Sequence, residues 1–297
     1  MVGSAVARYL KKKKYNNIIT IDRKKLDLED QLKVRKFLKK KKIEIVIHCA
    51  AKVGGIKSNS NYKADFISKN LNMQNNIILG SYEAKIKRLI FLGSSCIYPR
   101  DCDQPIKEEY FLSGKLEVTN RPYAIAKIAG VEMCKSFNEQ YGTKYQSVMP
   151  SNLYGPNDNY DLNNSHFIPA LIRKIYQAKV NKKKQVRLWG TGKPKREVTY
   201  VDDVAEGILL LIKSKNSEFL INIGSGFERT ISEYAKIIAY NLGYKGKIIF
   251  DQNRYFDGTP RKIVSSNKIK KLGWKAKTKF DNGLKLAIDD FLLKNRR

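Results

Sequence analysis

The chain has 297 residues, 42% of them hydrophobic, and carries 58 lysines and arginines against 28 aspartates and glutamates, a net charge of +30; this length can bury one or two cores. No apolar run approaches the ~18–20 residues of a membrane span and no secretory signal opens at Met1, while four cysteines without C-x-x-C spacing beside two histidines leave no zinc site and point to a reducing cytoplasm. The lysines fall in scattered clusters at 11–14, 39–42 and 182–184 with no arginine–aromatic stripe beside them, so the charge reads as a solvated surface suited to small polyanions such as nucleotide diphosphates, not as a nucleic-acid footprint.

Met1–Leu10 reads as the start of a helix opening at Gly3. A dinucleotide-binding turn would place a strand and more glycines ahead of it, so that pyrophosphate sits on the helix N-terminus; the expectation is that this first strand and most of the turn are missing upstream. The β-branched run Asn17–Asp22 reads as a strand, Asp30–Lys41 as a helix, and Glu44–Cys49 as a second strand. A long helix covers about 63–84. Arg88–Gly93 is a short buried strand ending in glycine, followed by a helix at Pro122–Tyr141 and a strand at Tyr145–Met149. The alternation predicts an α/β fold with a Rossmann-like, doubly wound parallel sheet. From about Ser165 the rhythm changes to longer lysine-rich connections, which predicts a first domain over 1–164, with later segments also contributing, and a smaller α/β lobe over 165–297 that holds mainly substrate.

Ligands of open parallel sheets bind at the carboxyl ends of the strands, and that is where Ser94 falls. Tyr123 and Lys127 lie one helical turn apart and share a face. An ammonium beside a phenol favours the phenolate, so Lys127 is expected to lower the Tyr123 pKa from about 10. Ser94, Tyr123 and Lys127 together are the parts of a proton donor for carbonyl reduction, with Ser94 holding the same oxygen. At the adenosine end, Asp22 terminates its run where an acid would bind ribose hydroxyls and favour NAD, whereas Arg23, Lys24 and Lys25 favour the extra phosphate of NADP. His48, within a strand-like run, reads as structural.

The runs His48–Ile56, Gly93–Pro99, Pro122–Gly130, Met149–Pro156, Asn164–Ala170, Trp189–Glu197 and Asp257–Lys262 resemble the GDP-L-fucose synthases, a family of extended short-chain dehydrogenase/reductases. The resemblance runs from Gly3 to the last helix. It implies an NADPH-dependent enzyme that inverts C3 and C5 of GDP-4-dehydro-6-deoxy-D-mannose and reduces the C4 ketone. It makes Cys96 the base and His166 the acid of the inversion, beside Tyr123, Ser94 and Lys127. The cofactor positions it implies are Gly3, Arg23, Asp27, Leu28, Leu92, Gly93, Ser94, Ser95, Lys127, Pro150, Ser151, Asn152, Leu153 and His166. The sugar-nucleotide positions are Lys174, Trp189, Arg196, Lys247 and Asp257, and the expected assembly is a homodimer paired through helices that include the one bearing Tyr123. A 4,6-dehydratase would carry an acidic pair where Ser95-Cys96 stands, and a C4 epimerase would retain NAD and need neither Cys96 nor His166. A binding protein without turnover, for its part, would not oxidise NADPH.

Overall fold

The computed structural model describes residues 1–215 and 218–295. Helices α1 (Val2–Lys12) and α2 (Gln31–Lys40) precede strand β1 (Ile45–His48), and α3 (Ile56–Asn61) and α4 (Lys63–Glu83) lead to β2 (Arg88–Leu92). Helix α5 (Arg121–Tyr141) is followed by β3 (Lys144–Pro150), β4 (Asn152–Tyr154) and α6 (Phe167–Val180). Next come β5 (Gln185–Leu188), β6 (Lys195–Tyr200), α7 (Val201–Lys213), β7 (Leu220–Ile223) and β8 (Glu228–Thr230). Helix α8 (Ile231–Leu242), β9 (Lys247–Phe250), β10 (Arg261–Lys262), α9 (Asn267–Lys271) and α10 (Phe280–Asn295) close the order.

Strands β1, β2, β3 and β7 form one parallel sheet in the order β1-β2-β3-β7. Strands β2, β3 and β7 are largely buried, as a parallel sheet covered on both faces requires, while the edge strand β1 is partly buried. One face packs Val34 and Leu38 of α2, Ile77 and Ile78 of α4 and Val131 of α5; the other packs Ala5 and Val6 of α1 with Val204 and Ile208 of α7. Helices on both faces make the sheet doubly wound, the Rossmann-like arrangement. A third core gathers Tyr154, Ile172, Tyr234, Leu284 and Phe291, around a sheet of β10, β6 and β4 with β8 beside β6, and a pair β5–β9. Among the described residues no helix is long and apolar enough to cross a membrane.

Local chemistry accounts for the element ends. Asp30 caps α2 by accepting from the Lys33 N–H at 3.0 Å, and α8 opens on a capping box of Thr230 and Glu233. Helix α5 stops at Gly142, whose φ of +64° suits glycine. One expectation fails: 17–22 is not a strand, and Ile19 and Ile21 stand 54% and 40% exposed. A β-branched run becomes a strand only when a neighbouring ladder takes up its N–H and C=O groups. Here β1 is the edge of the sheet, and no described strand lies beside 17–22.

The seating of α5 on β2 fixes the chemistry described below. Gly130 is buried in that helix, and a Cβ added there would run into the Phe91 ring of β2. Gly130→Ala is therefore expected to cost about 1–3 kcal/mol by overpacking. A lowered denaturant midpoint at unchanged slope would show it, and an unchanged midpoint would mean that α5 has room to shift.

Candidate active site

A cleft of about 800 Å³ runs along the carboxyl ends of β2 and β3 and on to the turn after β5. Gly93 ends β2 without a side chain because Met149 of β3 fills that space. The chain then turns through a short 3-10 segment, Ser95–Ile97, capped by Ser94, whose Oγ accepts from the Cys96 N–H at 3.2 Å. This turn aims Ser94 and Cys96 into the cleft. Opposite them, α5 presents Tyr123, whose ring meets Phe66 edge-on at 6.1 Å, and, one turn on, Lys127. The Gln74 side chain of α4 donates to the Ala126 carbonyl at 2.6 Å and pins α5 beside α4.

Lys127 is 2% exposed. Its ammonium donates to the Leu92 carbonyl at 2.8 Å and lies 4.6 Å from the Phe91 ring centroid. Burial pulls its pKa from 10.5 down to about 8. Among the described residues no carboxylate pairs with it, so its remaining hydrogens need oxygen partners from the cleft. The expected lowering of the Tyr123 pKa is corrected here. Burial pushes that phenol above its ordinary value and the nearby Cys96 pushes the same way, opposed by the Ser94 hydroxyl. Lys127 stands 6.0 Å from the ring centroid and directs one of its hydrogens to the Leu92 carbonyl. Tyr123 is thus a neutral phenol, a group that gives a proton rather than one already ionised.

Cys96 has two partners that its sequence neighbourhood does not announce. Asn120 Nδ2 donates to its Sγ at 3.1 Å, and Lys262 Nζ does so at 3.5 Å. A sulfur that removes a proton from carbon must carry negative charge, and two donors in this position would stabilise it. Asn120 stands at the start of α5. Lys262 arrives on β10, which pairs in parallel with β6 so that Lys262 lies opposite Arg196. That pairing spans a long loop, and only the closing lysine of Asp257–Lys262 could have hinted at it. His166 precedes α6 and lines the same cleft; burial lowers its pKa from the ordinary value. His48 is 4% exposed, stacks on Phe91 at 5.9 Å and is driven down to about 3 by burial, in keeping with a structural part.

At one end of the cleft stand Gly3, Arg23, Asp27 and Leu28; Leu92–Ser95, Lys127 and Pro150–Leu153 line its middle. The Asp22 carboxylate accepts from the Lys24 and Lys25 N–H groups at 2.9 and 3.1 Å, closing its own turn, whereas Arg23 lines the cleft. At the other end Lys174 stands 3.7 Å over the Trp189 ring, with Phe256 stacked on the indole at 5.2 Å. Arg196 donates to the Asp257 carbonyl at 2.6 Å, and burial lowers its pKa to about 10.

Asp257 lines the cleft and Lys247 does not. The Asp257 carboxylate accepts from the Thr191 N–H and hydroxyl, each at 2.8 Å, so it holds the turn that presents Trp189. Lys247 opens β9 opposite Gln185, while Phe250 ends that strand opposite Leu188, beside Trp189. Three strand residues at about 3.3 Å each carry Lys247 roughly 10 Å away.

A doubly wound sheet with Ser, Tyr and Lys at its ligand edge, next to a second lobe with a cationic and aromatic end, defines an extended short-chain dehydrogenase/reductase. The family model for the NAD dependent epimerase/dehydratase family matches residues 1–224. A GDP-L-fucose synthase of Sinorhizobium fredii is 47% identical over 292 residues, 98% of this chain and 92% of that protein. Among solved structures, a GDP-6-OMe-4-keto-L-xylo-heptose reductase from Campylobacter jejuni superposes with a TM-score of 0.91 at 34% identity, covering 99% of this chain and 95% of that one. An NADP-bound GDP-L-fucose synthetase from Naegleria fowleri gives 0.90 at 30% identity, covering 99% and 90%. The chain belongs to the NAD dependent epimerase/dehydratase family and, within it, to the group of the GDP-L-fucose synthases.

Proposed function

We propose that the chain converts GDP-4-dehydro-6-deoxy-D-mannose to GDP-L-fucose, inverting C3 and C5 and reducing the C4 ketone with NADPH. The observation that carries this reading is one continuous cleft. Ser94, Tyr123 and Lys127 share it with Cys96 and His166, and its far end offers Lys174, Trp189 and Arg196 to a nucleoside diphosphate. A simple reductase has no use for the thiol and imidazole. NADPH supplies the hydride that reaches C4. The free hydrogens of Lys127 suit its ribose, and Arg23, with Asp22 occupied in its own turn, suits the extra phosphate of NADP.

Both inverted carbons flank the ketone, so removing a proton from either leaves an enolate whose negative charge gathers on the C4 oxygen. Ser94 and Tyr123 would donate to that oxygen and lower the barrier. At each carbon in turn Cys96 would take the proton from one face while His166 gives one from the other, the pair exchanging protons with solvent before the second inversion. In the final step Tyr123 gives its proton to the developing alkoxide.

We assign residues 1–164, with β7, to the cofactor half and residues 165–297 mainly to the substrate half, the third core being built largely from the latter. A homodimer formed through α4 and α5 accords with the 41% exposure of Ile125 and 46% exposure of Tyr141 on α5. Four free cysteines suit a reducing cytoplasm.

The test follows NADPH absorbance with the 4-keto sugar nucleotide and identifies the product by NMR. Cofactor consumption with GDP-L-fucose formed is the expected result. Interconversion at C4 without net NADPH loss, or binding without turnover, would overturn the proposal.

A further inference from the structure

Lys57, the second residue of α3, lies outside the sugar-nucleotide contacts discussed so far. Its ammonium stands 5.3 Å from the centroid of the Trp189 ring, over which Lys174 sits at 3.7 Å. Two ammonium groups therefore share one indole, near enough to repel each other. Among the described residues neither forms a direct ion pair: Asp251, whose charge favours the Lys174 ammonium, gives its Oδ1 to the Gly190 and Asn253 N–H groups, and the carboxylate of Asp257 is taken up by Thr191. Two like charges held together with no anion in direct contact with either are unfavourable unless something fixes them or joins them.

The fixing is visible. Gly55 approaches the Ser165 carbonyl so closely that an added Cβ would lie 2.7 Å from its oxygen. Ser58 Oγ donates to Asn164 Oδ1 at 2.9 Å, and Lys57 Nζ donates to Asn163 Oδ1 at 3.2 Å. At the other side of α3, Tyr255 donates to the Ser60 hydroxyl at 2.7 Å. Helix α3 is thus stitched between the loop before His166 and the segment after β9, and its position over the cleft is set by the fold. A neutral hydrogen bond to Asn163 uses one of three ammonium hydrogens and cancels none of the charge.

We propose that Lys57 is a ligand of the nucleoside diphosphate, closing on it from α3 opposite Lys174 so that the anion lies between the two ammonium groups beside Trp189. The assignment rests on the GDP-sugar reading above and adds to it a contact from the cofactor half of the molecule. Binding of the diphosphate then ties α3 and the His166 loop to α6 and the Trp189 turn.

The experiment is calorimetric titration of the full chain and of Lys57→Met with GDP and with guanosine. Loss of a charge-assisted contact is expected to weaken GDP about tenfold or more, leave guanosine unchanged and flatten the salt dependence of GDP binding; Lys57→Arg is expected to restore most of the affinity. Equal weakening of GDP and guanosine would mean that Lys57 acts by holding α3 in place, and GDP affinity unchanged in Lys57→Met would remove it as a ligand. If the unaltered chain takes up no GDP at all, the sugar-nucleotide reading falls first and the Lys57 assignment with it.

Discussion

Tyr123→Phe is expected to lower the rate of C4 reduction by roughly 10²–10⁴-fold, the range of general acid catalysis, with little change in NADPH affinity. The substitution removes one oxygen and keeps the ring, so its edge contact with Phe66 survives. The same variant is expected to retain more of its proton exchange at C3 and C5. There the phenol serves only as a hydrogen-bond donor to the enolate, and Ser94 still holds that oxygen; loss of one such donor costs on the order of 10²–10³. Single-turnover NADPH oxidation, set beside incorporation of solvent deuterium, separates the two. Near-normal reduction in Tyr123→Phe would remove it as the proton donor. The pH profile of kcat/KM gives a second reading, since it reports groups of the free enzyme. Burial keeps the Tyr123 phenol protonated, so it contributes no limb in the neutral range. Lys127 is charged below about 8 and loses its charge above; activity that depends on the ammonium therefore falls as pH rises through about 8.

What was legible in the chain was local. A strand ending in Gly93-Ser94 and a helix with Tyr123 and Lys127 one turn apart need only the periods of strand and helix, and the structure brings them to one cleft. What was not legible depends on pairing across the sequence. The run 17–22 has strand chemistry, yet a strand exists only with a partner, and none of the described strands is there. Lys262 reaches Cys96 because β10 lies in register with β6, which no spacing reveals. The charge of Lys247 suits a phosphate, but its place at the start of β9 puts it at the wrong end of the strand. The Tyr123 pKa went astray for a related reason. A shared helix face implies that the two side chains interact, while the Lys127 ammonium turns instead to the Leu92 carbonyl, and burial decides the direction.

Cys96→Ser is expected to cut solvent-deuterium incorporation at C3 and C5 by about 10²–10⁴-fold, because a neutral hydroxyl is a far weaker base than the thiolate that the Lys262 and Asn120 donors would stabilise. NADPH binding should be unchanged, and the ketone that is still reduced should give product with C3 and C5 uninverted. Lys262→Met tests the same site from the other side. It leaves the thiol in place and removes the ammonium, so exchange should fall while KM for the sugar nucleotide moves less than kcat. A merely structural Lys262 would not produce that split. Its loss would loosen β10 against β6, shift Arg196 on the adjacent strand and raise KM instead. Exchange at the normal rate in Cys96→Ser would take the sulfur out of the mechanism, and the base would then have to be sought among the other groups of the cleft, His166 first.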